Sequence, residues 1–236
     1  MMKEYDETLD ALALNPAARV ACVLCADCST SMAGRPIDAL NKGLARYFAA
    51  IRADDAAAMS VETALVAFST EARVVHGFAP IDDYPPETPP PLKAAGTTAT
   101  GAALRLAEKL LTERQALYRR AGIPSYEPWI LLLTDGNPYP DKDWENIAAR
   151  LKSRSAAGDL RYLAIGVGDK IEENKLAKLS PAEPGVIHLD GFKFEELFDW
   201  LATSLHEVSV GGVGAERGVP LRGIDTWARF AKKGGR

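Results

Sequence analysis

Five consecutive residues, Asp27-Cys28-Ser29-Thr30-Ser31, place one carboxylate and two serine hydroxyls at alternating positions directly after the apolar run Val20 to Ala26. Such a run reads as a buried strand, so hard oxygen groups gather where the strand ends and the backbone begins to turn. That grouping suits a hard divalent cation. A second carboxylate, Asp135, follows another apolar run, Trp129 to Leu133, within Thr134-Asp135-Gly136. In open α/β sheets, ligands bind beyond the carboxyl ends of the strands, at the point where strand order reverses. If the two strands are neighbours, Asp27 and Asp135 converge on one crevice. A third contributor is then expected nearby. The hydroxyl-rich loop Gly96-Thr97-Thr98-Ala99-Thr100-Gly101 fits, because glycine lets its backbone approach closely.

Each motif has a plainer explanation when taken alone. Asp-x-Ser-x-Ser can be a helix N-cap with a turn, since Asp and Ser satisfy orphan amides. Thr134-Asp135-Gly136 alone is an ordinary turn. The spacing of Cys22, Cys25 and Cys28 invites an iron–sulfur or zinc site. Against it, strand residues three apart point to opposite faces, there is no fourth cysteine, and His76, His188 and His206 lie far off in sequence. Asp54-Asp55 and Asp82-Asp83 read as solvated loop acids, and Trp129 and Trp144 as core or rim.

Strands alternate with helices along the chain, the signature of a mainly parallel sheet covered on both faces. The spacing of Ile37, Leu40, Leu44, Tyr47, Phe48 and Ile51 predicts a first helix, with Pro36 near its first turn. Runs 61–68 and 72–78 predict two strands separated by only Ser69, Thr70 and Glu71, too few residues for a crossover. They should form an antiparallel hairpin at the sheet edge. Pro80 to Pro91 is loop by its proline content. Helices are predicted at about 101–120, 144–157 and 172–179, with strands at 129–133, 160–167 and 185–189. Phe194, Leu197, Phe198, Leu201 and Leu205 mark a last helix. The fold class is therefore α/β: a Rossmann-like, doubly wound, mostly parallel central sheet with one antiparallel edge strand and helices on both faces.

Asp27-Cys28-Ser29-Thr30-Ser31-Met32, Gly96-Thr97-Thr98 and Thr134-Asp135-Gly136 together resemble the three parts of a metal-ion-dependent adhesion site, as found in von Willebrand factor A domains. The resemblance covers roughly residues 19 to 207 in the family's order. It implies Mg²⁺, with Mn²⁺ or Ca²⁺ as alternatives, held by the hydroxyls of Ser29, Ser31 and Thr98, with Asp27 and Asp135 binding directly or through water. Thr98 rather than Thr97 matches, because Thr98-Ala99-Thr100-Gly101-Ala102-Ala103-Leu104 follows the family's Thr-x-x-Gly-x-Ala-Leu. The resemblance also implies that an acidic side chain of a partner protein fills the open coordination position. Cys28 and Thr30 replace the commoner Thr and Gly of the first motif; both flank the ligands. The segments 31–37, 134–138 and 164–169 look like the TerY-like branch, associated with bacterial tellurium resistance and related stress or phage-defence clusters. Some members of that branch are encoded beside a protein kinase and a PP2C-type phosphatase, which the resemblance therefore implies as candidate partners. A von Willebrand subunit of a MoxR-type ATPase system is the competing assignment within binding proteins.

The enzyme reading is weaker. A phosphatase of haloacid-dehalogenase type would use Asp27 as nucleophile and needs a second Asp two residues on, where Ser29 stands. Neither a Gly-x-Ser-x-Gly elbow nor a Walker loop is present. A chain of 236 residues with net charge −4 gives no global case for nucleic acid. No apolar run reaches the about 18 residues of a membrane span. The acidic N-terminus does not read as a secretory signal, so the expected location is a reducing cytoplasm. The domain assignment is an N-terminal extension (1–18), the main domain (19–207) and a basic tail (208–236). The tail carries a net +4, which leaves −8 for the remainder. It could dock a partner or nucleic acid, or fold back on its own domain, with Ile224, Trp227, Ala228 and Ala231 on one face of a short helix.

Overall fold

A computed structural model describes residues 15–85, 89–139, 143–168, 171–211 and 223–230. The acidic N-terminal residues Glu4 to Asp10, Asp169, and the tail cations Arg217, Arg222, Lys232, Lys233 and Arg236 lie outside the described residues.

The first apolar run forms β1 (Val20–Asp27), buried along its whole length as a central parallel strand must be. Helix α1 (Arg35–Ala53) carries Pro36 in its first turn and buries the expected face from Ile37 to Ile51. A short helix α2 (Asp55–Ser60) leads into β2 (Val61–Phe68), which turns through three residues into β3 (Ala72–His76). Then come α3 (Thr100–Arg120), β4 (Trp129–Thr134), α4 (Trp144–Ala156) and β5 (Arg161–Val167). Helix α5 (Glu173–Leu179), β6 (Ile187–Leu189), α6 (Phe194–Val210) and β7 (Ala228–Phe230) complete the order.

The sheet runs β3-β2-β1-β4-β5-β6-β7. From β1 the chain steps one way to β2 and β3, then crosses back through α3 to β4. The order therefore reverses between β1 and β4, which pair in parallel with Ala26 opposite Leu133. Helices α1, α2 and α6 cover one face and α3, α4 and α5 the other, and each face has its own apolar layer. Cys22 belongs to the first layer and Cys25 to the second, so these two thiols cannot share an ion. Trp129 and Trp144 are buried, as expected. Gly43 lets α6 close onto α1: a Cβ there would stand 2.6 Å from the Phe198 ring and 3.0 Å from Phe194 Cβ.

Two elements differ from expectation. Asp54 is not a free loop acid. Its carboxylate accepts the Ala57 amide at 2.8 Å and caps α2, and it also pairs with His206 Nδ1 at 2.9 Å. Six residues are too few to show a periodicity, which is why α2 escapes pattern reading. The C-terminal segment 223–230 does not form an amphipathic helix. Gly223, with φ +77°, opens a single 3-10 turn (Ile224–Thr226), and Ala228–Phe230 then pairs antiparallel with β6. The expected antiparallel edge strand is β3, and β7 adds a second at the opposite edge. Trp227 is fully buried, its ring 5.2 Å from Trp200, which lies 6.2 Å from Trp129. Part of the presumed tail thus belongs to the sheet, because the open edge of β6 and the Trp200 surface give it more to bury than solvent does. Among the described residues, no helix is long and apolar enough to cross a membrane.

A buried ion cluster ties the amino end of the sheet together. Glu62 in β2 accepts Arg114 Nε at 2.6 Å and the Tyr118 hydroxyl, and lies 3.5 Å from Arg19 Nε. Arg19 in turn donates to the carbonyls of Ala17 (2.6 Å) and Asn15 (2.9 Å). Removing the carboxylate leaves two buried guanidinium groups without their counter-charge. Glu62→Ala is therefore expected to cost about 3–5 kcal/mol in urea unfolding. A loss under about 1 kcal/mol would show that the cluster is solvated rather than buried.

Candidate metal centre

Asp27 is the last residue of β1, and Asp135 follows the last residue of β4. Because these strands are neighbours, the two carboxylates meet at the switch point. The chain after Asp27 enters a 3-10 turn (Thr30–Met32) that returns the Ser29 and Ser31 hydroxyls to the same place. Ser31 Oγ donates to Asp135 Oδ1 at 2.6 Å, and the Ser29 and Ser31 hydroxyls lie 2.9 Å apart. Ser29 Oγ is 3.4 Å from Asp135 Oδ1. Ser29 occupies the N-cap position of the turn, yet its side chain caps nothing. That detail argues against a simple cap, since the hydroxyl faces the crevice instead of the orphan amides.

Asp27 is fully buried. Its Oδ1 accepts the Ser29 amide at 2.8 Å and its Oδ2 accepts the Thr134 hydroxyl at 2.6 Å. Burial pushes its carboxyl up to about 6; the bonds from Thr134 and Ser29 pull the other way without cancelling it. Burial, then the Asp27 charge, also pushes the Cys28 thiol up to about 12, so Cys28 stays a protonated, packed side chain.

Thr98 arrives on the third loop. It is buried while Thr97 is exposed, in keeping with the choice between them. A Cβ added to Gly136 would stand 2.9 Å from Thr98 Oγ1, so the threonine hydroxyl lies directly against the Asp135 turn, and glycine is what lets it in. The loop is anchored on three sides. The Tyr139 amide donates to the Thr98 carbonyl at 3.0 Å, the Ala99 amide to Ser69 at 2.7 Å, and the Ala95 amide to Cys28 at 2.7 Å.

The structure thus brings all five sequence-derived residues, Asp27, Ser29, Ser31, Thr98 and Asp135, to one crevice. The donors are uniformly hard oxygens, two carboxylates and three hydroxyls, which fits Mg²⁺, Mn²⁺ or Ca²⁺ and not a thiophilic ion. Sequence reasoning assigned no role to Thr134, whose hydroxyl holds Asp27, nor to Gly136. Both stand in the quoted Thr134-Asp135-Gly136 motif, where a hydroxyl one residue before the acid was the available signal. Asn137 and Glu172 also went unnoticed. They exchange two hydrogen bonds, at 3.0 and 2.9 Å, and fasten the Asp135 loop to the start of α5.

The family model of the von Willebrand factor type A domain matches residues 22–199, well over half of the chain, and the chain belongs to that family. No curated protein matches it. Among solved structures, it is similar to proximal thread matrix protein 1 from the mussel byssus (17% identity, TM-score 0.58, covering 83% of this chain and 47% of that one). The pilus adhesin SpaC from Lactobacillus rhamnosus GG is similar at 15% identity and TM-score 0.62, covering 81% of this chain and 31% of that one. The PilB minor pilin from Streptococcus sanguinis shares 15% identity at TM-score 0.57, over 81% of this chain and 62% of that one. At such identities the likeness is one of fold, and the chain spans less than two thirds of each. One structure of the mussel protein (17% identity, TM-score 0.56, over 83% of this chain and 47% of that one) has a zinc-occupied metal-ion-dependent adhesion site.

Because the Asp27 carboxyl is raised, the metal-free folded chain retains a proton between about pH 4 and pH 6 that the unfolded chain has lost. Metal-free stability should fall as pH rises through that window, by about 3 kcal/mol in all. Asp27→Asn should remove this slope. Urea unfolding in EDTA at both ends of the window, wild type against variant, measures the difference. Parallel pH profiles for the two proteins would contradict the assignment.

Proposed function

We propose that the protein is a cation-dependent protein-binding module, with Mg²⁺ as the resident ion and Mn²⁺ or Ca²⁺ as alternatives. Asp27, Ser29, Ser31, Thr98 and Asp135 would hold it. The observation that carries this reading is the convergence of three separate loops, the Ser31 hydroxyl reaching Asp135 at 2.6 Å while Ser29 Oγ caps nothing. Three of the five groups are neutral hydroxyls, so the two carboxylates do no more than balance a divalent cation, and its open position can accept a further hard oxygen such as a carboxylate from outside. An acidic residue of a partner protein is the ligand this chemistry selects.

The site does not favour catalysis. Ser29, where a haloacid-dehalogenase-type phosphatase would carry its second carboxylate, is bonded to Ser31. The described histidines have other contacts, His76 with the Gly77 carbonyl, His188 with Glu173 and His206 with Asp54, and offer the crevice no base. The likeness of segments 31–37 and 134–138 to the TerY-like branch supports a finer placement. The module would serve a cytoplasmic tellurium-resistance, stress-response or phage-defence complex, with a kinase or PP2C-type phosphatase among its partners.

Affinity capture with the tagged chain, in Mg²⁺ and in EDTA, is the direct test. Partner recovery should drop about tenfold or more in EDTA and with Asp135→Ala in Mg²⁺. Recovery unchanged in both conditions would refute the cation-bridged mechanism. Phosphate release from an aryl phosphate, abolished by Asp27→Asn, would instead establish an enzyme.

A further inference from the structure

Thr30 is the hydroxyl of the first motif that takes no part in the ligand set. It is exposed, yet its amide and its hydroxyl both donate to the Gly96 carbonyl, each at 3.0 Å. Gly96 lies two residues before Thr98. Its other side is pressed against the β2–β3 turn: φ is +81°, and a Cβ would collide with Thr70 Oγ1 and stand 3.2 Å from the Thr70 amide nitrogen. Gly96 is therefore gripped between two loops, with no room for a side chain and one carbonyl carrying both bonds from Thr30. A glycine at position 30 would supply only the amide bond and would leave its own backbone freer.

We propose that Thr30 is a positioning residue for the cation site. Its hydroxyl straps the 96–98 segment to the Asp27–Ser31 turn, so that Thr98 stands against Gly136 and Asp135 before any ion arrives. This rests on the reading of the five residues as cation ligands and adds what sets the third loop's place. The extra hydroxyl of Asp-x-Ser-Thr-Ser is turned to the Gly96 carbonyl, apart from the five oxygen groups assigned to the ion. Pre-ordering the loop lowers the entropy that ion binding must overcome. Losing one hydrogen bond of ordinary net strength should weaken binding about fivefold.

The test uses Mg²⁺ alone, titrated calorimetrically into the full chain, together with amide hydrogen exchange in EDTA. Thr30→Val keeps the branched shape and the amide but loses the hydroxyl; Thr30→Ser keeps the hydroxyl. Thr30→Val is expected to bind Mg²⁺ about fivefold more weakly. It should also speed exchange at Ala95 and Ala99 while lowering the melting temperature by no more than about 2–4 °C, and Thr30→Ser should restore both binding and exchange. Wild-type affinity and exchange in Thr30→Val would overturn the proposal, as would a loss that Thr30→Ser fails to rescue. Wild-type protein that takes up no Mg²⁺ would overturn the ligand reading and this role with it. That failure is distinguishable, because the exchange difference at Ala95 and Ala99 would persist.

Discussion

Parallel pairing of β1 with β4 sets two carboxylates side by side at the carboxyl end of the sheet, and the surrounding loops are arranged around that placement. Asp27 is fully buried and held by the Thr134 hydroxyl at 2.6 Å and the Ser29 amide at 2.8 Å. Those bonds only partly offset the loss of hydration, which leaves the carboxyl raised to about 6. Asp135 shares the crevice, and the Ser31 hydroxyl lies against it. Two acids confined together repel, and hydroxyl donors soften the repulsion without removing it. Under the proposed function a divalent cation would supply the missing positive charge, and the arrangement that costs the metal-free chain stability would give that ion its affinity.

The opposite end of the sheet shows what neutralisation from within looks like. Glu62, also buried in the central strands, is met by Arg114 and Arg19 and by the Tyr118 hydroxyl. Among the described residues, no Arg, Lys or His forms an ion pair with Asp27 or Asp135. One buried carboxylate is thus paired with the chain's own cations, while the two at the switch point, where the proposed ion would enter, have no such partner among the described residues.

Much of this was readable in the residues. Continuous apolar runs fixed β1 and β4, and the acid at each carboxyl end pointed to one crevice once those strands were neighbours. The choice of Thr98 over Thr97 agrees with their burial. What could not be read depended on contacts between segments distant in sequence. Thr134 bonds to a residue 107 positions away. The Thr30 hydroxyl finds its acceptor 66 positions on, and nothing local announces it. Strand β7 has three residues, too few for alternation to register, and it exists only because β6 leaves an edge open. Asp54 was locally legible as a cap, but the run it caps is one and a half turns long, and its second partner, His206, lies on α6.

The central claim is that five oxygen-bearing residues from three loops hold one hard cation. Crystals grown in Mn²⁺, with anomalous diffraction recorded at the manganese edge, address it most directly. The expected result is a single strong peak in the crevice, at metal–oxygen distances of about 2.1–2.2 Å from the Ser29 and Ser31 hydroxyls. That peak should vanish from crystals of Ser31→Ala. An ordered crevice without a peak, or a peak bound only by residues elsewhere on the surface, would contradict the account.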